Sequence, residues 1–108
     1  MTSARHPKRA SAVRHAAHVE PATKSKALAR LKRIEGQVRG VHRMVEEERY
    51  CADVITQIAS IQQALRAVGR ELMRNHLRHC AHQAISSGPA EASRMHDELL
   101  DLMYGRLR

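Results

Sequence analysis

Apolar residues recur along this chain at helical periods, with no run of strict alternation that would mark a half-buried strand. Leu28, Leu31, Ile34 (with Glu35 beside it), Val38, Val41 and Val45 step by three or four residues and predict a first helix. Pro21 and Thr23 punctuate its start, with Thr23 placed to cap it. Arg30, Lys32, Arg33, Arg39 and Arg43 fall on its other faces, and Gly36 and Gly40, four apart, would let another helix approach closely. Glu46-Glu47-Glu48 leads into a short turn. Ile58, Ile61, Leu65, Val68 and Leu72 repeat the same steps without an intervening proline, and Gly69 costs only about 1 kcal/mol. One long second helix is expected from about Arg49 to Ile85. Ser86-Ser87-Gly88-Pro89 breaks it, and Met95, Leu99, Leu102 and Met103 form the stripe of a third helix from about Ala90 to Tyr104.

These elements predict an all-α fold of three helices in a single domain over residues 22–108. Residues 1–21 hold Arg5, Lys8, Arg9 and Arg14 among Ser, Ala and His, without an apolar period, and read as a disordered basic tail. His6, His15 and His18 are scattered through it.

Composition sharpens this picture. The 108 residues include no Phe, no Trp and only two Tyr, so the core must be aliphatic and flat helix packing would be completed by a second copy. Nineteen Lys and Arg against eleven Asp and Glu leave a formal charge of +8, which calls for a polyanionic partner, nucleic acid before a membrane surface. No apolar run is long enough to span a bilayer, and the basic start lacks the hydrophobic region of a signal peptide. The expected compartment is the cytoplasm, where Cys51 and Cys80 stay reduced. Nothing resembles a phosphate loop, a nucleophile elbow or a hydrolytic zinc motif, so no enzyme is expected.

The second helix carries three metal-capable side chains. His76 and Cys80 are four residues apart, on one face and one turn apart. Cys51 lies roughly 37 Å from His76 at 1.5 Å per residue and cannot join them within its own chain. Two copies paired antiparallel about Ala64 and Leu65 would set position 51 of one chain opposite positions 76 to 80 of the other. Each end of such a two-fold dimer gains a Cys, His, Cys cluster. Two thiolates and an imidazole form a soft site suited to Cu(I), whereas zinc or Ni(II) would want a fourth donor.

Glu48-Arg49-Tyr50-Cys51, the run His76-Leu77-Arg78-His79-Cys80, and Arg30 to Gly40 (Arg-Leu-Lys-Arg-Ile-Glu-Gly-Gln-Val-Arg-Gly) closely resemble the CsoR/RcnR family of bacterial metal-sensing repressors, over about Lys24 to Tyr104. The resemblance implies a homotetramer built from two antiparallel homodimers, which binds operator DNA without metal and releases it on binding Cu(I). It implies Cys51, His76 and Cys80 as ligands, and Tyr50 and Glu98 as residues that hold and tune them. It implies Arg30, Lys32 and Arg70 as DNA contacts; Arg33 joins them on charge alone. Nickel and cobalt members add an N-terminal histidine. The matching position here falls near Val19, with His18 adjacent, which leaves Ni(II) or Co(II) as the alternative. A thiol or persulfide sensor acting through the two cysteines is a further alternative, opposed by His76. His79, His82 and His96 are expected to be surface residues.

Overall fold

The computed structural model describes residues 13–107; residues 1–12, with Arg5, His6, Lys8 and Arg9, lie outside the described residues. All regular structure among the described residues is helical. Helix α1 spans Pro21–Glu46 and α2 spans Cys51–Asn75. A π-helical segment, His76–Ala81, carries α2 without a break into the short α3, His82–Ser86. Helix α4 spans Pro89–Asp101 and ends in a second π-helical segment, Leu102–Arg106. The expected second helix is thus present as one rod, with wider turns where His76 and Cys80 sit.

Helix α1 starts earlier than Thr23. Glu20 holds the cap position, and Pro21 takes the first turn, where its missing N–H costs nothing. The Thr23 hydroxyl donates to the Glu20 carboxylate at 3.4 Å rather than capping a backbone amide. In the α1–α2 turn Glu48 takes the left-handed conformation at φ 54°. Between α3 and α4, Gly88 sits at φ 126°, a conformation strained for any L side chain, and its carbonyl accepts the first α4 bond from Ala92 at 2.9 Å.

Helices α1 and α2 pack as an antiparallel pair joined by a short turn. Their contact uses one heptad stripe from each: Ala27, Ile34 and the half-buried Val41 of α1, against Ile61 and Val68 of α2; Val54, one heptad before Ile61, is buried too. Asn75 occupies the next place on the α2 stripe and is the one buried polar residue among those described, 5% exposed. Gly36 and Gly40 meet no close neighbour within the chain. Gly69 does serve a close approach, because a Cβ there would lie 2.8 Å from Leu107 Cδ2.

The apolar seam read from the sequence divides in two. Ile61 and Val68 are consumed within the chain. Ile58, Leu65 and Leu72 form a parallel heptad stripe that remains 40%, 46% and 44% exposed. Leu28, Leu31, Val38 and Val45 of α1 extend this uncovered surface. Met95, Leu99 and Leu102 of the third-helix stripe are half-buried, but Met103 is exposed. No helix among the described residues is long and apolar enough to cross a membrane.

Candidate metal centre and basic groove

The π-helical segment presents His76 at its first position and Cys80 one turn on. Both side chains line one open pocket, shared with His15 of the N-terminal segment, Ala84 of α3, and Met95 and Glu98 of α4. The chain reaches this arrangement because the Gly88–Pro89 turn folds α4 back along α3, and Glu98 then falls beside His76.

Glu98 Oε2 lies 2.9 Å from His76 Nε2. A carboxylate can only accept, so Nε2 is the donor in this contact, and in the neutral ring Nδ1 keeps its lone pair. That is the state of a histidine prepared to bind a metal through Nδ1, with its other nitrogen fixed by a carboxylate. The donor set at this end of the chain therefore fits a soft ion: one free thiol and one oriented imidazole.

Cys51 stands at the other end of α2, as its first residue. It is exposed, in a shallow groove with Val45, Glu48, Arg49, Val54 and Ile55. Tyr50 beside it is 74% exposed. Among the described residues, no group of three His, Cys, Asp or Glu within one chain could hold a metal. Cys51 also begins the exposed heptad stripe, seven residues before Ile58, so the third thiol and the uncovered apolar surface share one face.

Where it is described, the N-terminal segment meets the end of α2. Asn75 Nδ2 donates to the carbonyl of His18 at 2.8 Å, and the Glu20 amide donates to Asn75 Oδ1 at 3.1 Å. His18 sets its ring edge-on against His79, with centroids 4.8 Å apart. His79 is therefore not the surface residue expected: its side chain is 29% exposed, and Nε2 lies 3.4 Å from Glu20 Oε2 without hydrogen-bond geometry. His18 is absent from the lining of the His76–Cys80 pocket, where His15 appears instead. His82 and His96 are exposed, as expected.

The basic residues fall on two flanks of the α1–α2 pair. Arg30 and Arg33 line one groove with Gln37, Ala64 and Ala67. Arg70, three residues after Ala67, shares the Ala67 side of α2 and is exposed. The Gln37 amide oxygen is buried in this region with no hydrogen-bond partner among the described residues. Lys32 points to the opposite flank, in a groove with Leu28, Leu31, Val38, Arg39 and Leu65. Arg30 and Arg33 are thus brought together, with Arg70 alongside; Lys32 is not.

Asn75, Glu20 and Arg14 were not singled out by the sequence reading. A signal for Asn75 exists: it continues the 54, 61, 68 spacing, so it must be buried, and a buried amide needs partners.

A family model described as "Metal-sensitive transcriptional repressor" matches residues 23–104. The copper-sensing transcriptional repressor RicR of Mycobacterium tuberculosis is 48% identical over 73 residues, 68% of this chain and 76% of that protein. The copper-sensing transcriptional repressor CsoR of Bacillus subtilis is 45% identical over 85 residues, 79% of this chain and 82% of that protein. The crystal structure of the copper-sensing repressor CsoR with Cu(I) from Geobacillus thermodenitrificans superposes with a TM-score of 0.73 at 40% identity. That likeness covers 89% of this chain and all of the other.

Proposed function

Because this chain belongs to the metal-sensitive transcriptional repressors, we propose that it binds operator DNA without metal and releases it on binding Cu(I). The ligands are Cys51 of one chain with His76 and Cys80 of a second. The observation that supports this reading is the His76–Glu98 pair, which engages Nε2 and leaves Nδ1 available to a metal, while Cys80 lines the same pocket. Two thiolates and one imidazole suit Cu(I), which accepts three donors.

The third ligand comes from pairing. The exposed stripe Ile58, Leu65 and Leu72 runs from Cys51 towards the His76 end of α2, and a two-fold antiparallel partner would cover it. Burying a Leu or Ile side chain fully is worth about 1.5–3 kcal/mol, so three such residues from each chain supply a driving force that α1 and α2 alone leave unused. Two such dimers form a homotetramer, and the protein works in the cytoplasm with its thiols reduced.

DNA is bound by Arg30, Arg33 and Arg70 along one flank of the α1–α2 pair. Lys32 contributes less, because it faces the apolar flank. Tyr50 adjoins Cys51 and so meets the partner's metal ligands only in the dimer. The Ni(II) reading loses support from His18, whose ring is engaged with His79 outside the pocket. DNA affinity measured with reduced protein, with Cu(I), with Ni(II) and after thiol oxidation tests the proposal. Release by Cu(I) alone is expected, and release only by oxidation would replace it with thiol sensing.

A further inference from the structure

Helix α4 folds back along the end of the long rod, and Glu98 marks the register of that pairing by lying 2.9 Å from His76 Nε2. Rod and α4 run in opposite directions from the Gly88–Pro89 turn. A residue one turn before Glu98 on α4 is therefore level with a residue one turn after His76 on the rod. Those residues are Met95 and Cys80. Both line the pocket that His76 and Glu98 line, and Met95 is half-buried.

The apolar stripe of α4 thus serves two places. Leu102 reaches an apolar pocket with Gly69, Leu72 and Leu107. Met95 instead stands in the pocket of the candidate ligands, where a leucine would fill much the same volume. What methionine has and leucine lacks is a thioether, a soft and uncharged sulfur of the kind that selects Cu(I). Cys80 and Met95 supply the only sulfur atoms among the described residues of this pocket. Its nearest carboxylate is already engaged, with one oxygen of Glu98 on His76 and the other 3.5 Å from the Arg14 guanidinium.

We propose that Met95 is a further soft donor to the metal, set across from Cys80, and that it sharpens the choice of Cu(I) over Ni(II). This rests on the reading of Cys51, His76 and Cys80 as ligands. Ni(II) wants its additional donor to be nitrogen or oxygen. A thioether in that place gives little to a harder ion, yet completes the surroundings of Cu(I). Being neutral, it binds more weakly than a thiolate, so it adds to Cys51 of the second chain and does not replace it.

Met95→Leu tests this, because the exchange keeps volume and helix propensity; fold and metal-free DNA binding should be unchanged. Cu(I) affinity, read by competition with a chelator, should fall about 3- to 10-fold, less than the 10- to 100-fold expected on losing a residue that orients a ligand. Ni(II) affinity should stay within about 2-fold, so the preference for Cu(I) narrows. A second readout is the nuclear magnetic resonance of isotope-labelled methionine methyl groups. The signal missing from Met95→Leu identifies Met95, and in the wild-type protein it should shift when Cu(I) is added. Unchanged Cu(I) affinity, an equal loss for both metals, or a Met95 methyl signal indifferent to Cu(I) overturns the thioether donor and leaves the Cys51, His76 and Cys80 site standing. Failure of the wild-type protein to bind Cu(I) overturns both.

Discussion

Glu98 reaches back from α4 to lie 2.9 Å from His76 Nε2, so a residue outside the long helical rod engages one nitrogen of His76 and leaves Nδ1 for another partner. Glu98→Gln keeps the size of the side chain but removes the charge that favours an Nε2–H donor. Its Cu(I) affinity is expected to fall about 10- to 100-fold. DNA binding without metal should be unchanged, since Glu98 lies away from the Arg30–Arg33 groove. Chelator competition and a DNA-binding titration on the same preparation check both halves.

The two stripes of α2 should respond to substitution in opposite ways. Ile61→Ala removes buried packing against α1 and should cost about 2–5 kcal/mol of stability, read by denaturant unfolding. Leu65→Asp leaves that packing intact but puts a charge on the uncovered stripe. It should yield a helical monomer by sedimentation, with metal binding abolished although Cys51, His76 and Cys80 are all present.

That division was not legible beforehand. Ile58, Ile61, Leu65, Val68 and Leu72 occupy one band about 100° wide, and the hydrophobic period cannot say which edge of the band meets α1 and which meets another chain. The three helices and the break at Ser86–Pro89 were legible, because they follow from period, proline and glycine alone. The Cys51, His76 and Cys80 spacing, and the distance that separates the first from the others, were legible for the same reason. The course of residues 13–20 was not, because it rests on Asn75 and on side-chain contacts to His79 and Glu98, and nothing in residues 13–20 repeats. His79 was misplaced with it, because His18 and Glu20 of that segment lie alongside its ring.

On the DNA side, position on the α1–α2 pair should outrank charge. Arg30→Ala and Arg33→Ala should each weaken operator binding and reduce the slope of log affinity against log salt by about 0.9 for each phosphate the protein no longer neutralises. Lys32→Ala should change that slope by much less, because Lys32 lies in the opposite groove. An equal effect for all three would place the DNA across both flanks.

Metal and DNA should oppose each other through one linkage. If Cu(I) lowers DNA affinity by some factor, DNA must lower Cu(I) affinity by the same factor, typically about 5- to 150-fold. The Cu(I) form should also show a shallower salt slope than the metal-free form, as fewer arginines meet phosphates together. Equal slopes with a large loss of affinity would point instead to a change of oligomer.

A metal site shared between chains is central to this mechanism, and complementation tests it most directly. Cys51→Ala and His76→Ala proteins are each expected to lack Cu(I) sites as homodimers. After the two are mixed and subunit exchange is verified, each mixed dimer should contain one intact site, formed by Cys51 of the second variant with His76 and Cys80 of the first. Cu(I) bound per chain, measured by chelator competition before and after exchange, should rise from near zero to a defined fraction set by the share of mixed dimers. No rise despite full exchange would contradict a site built from two antiparallel chains.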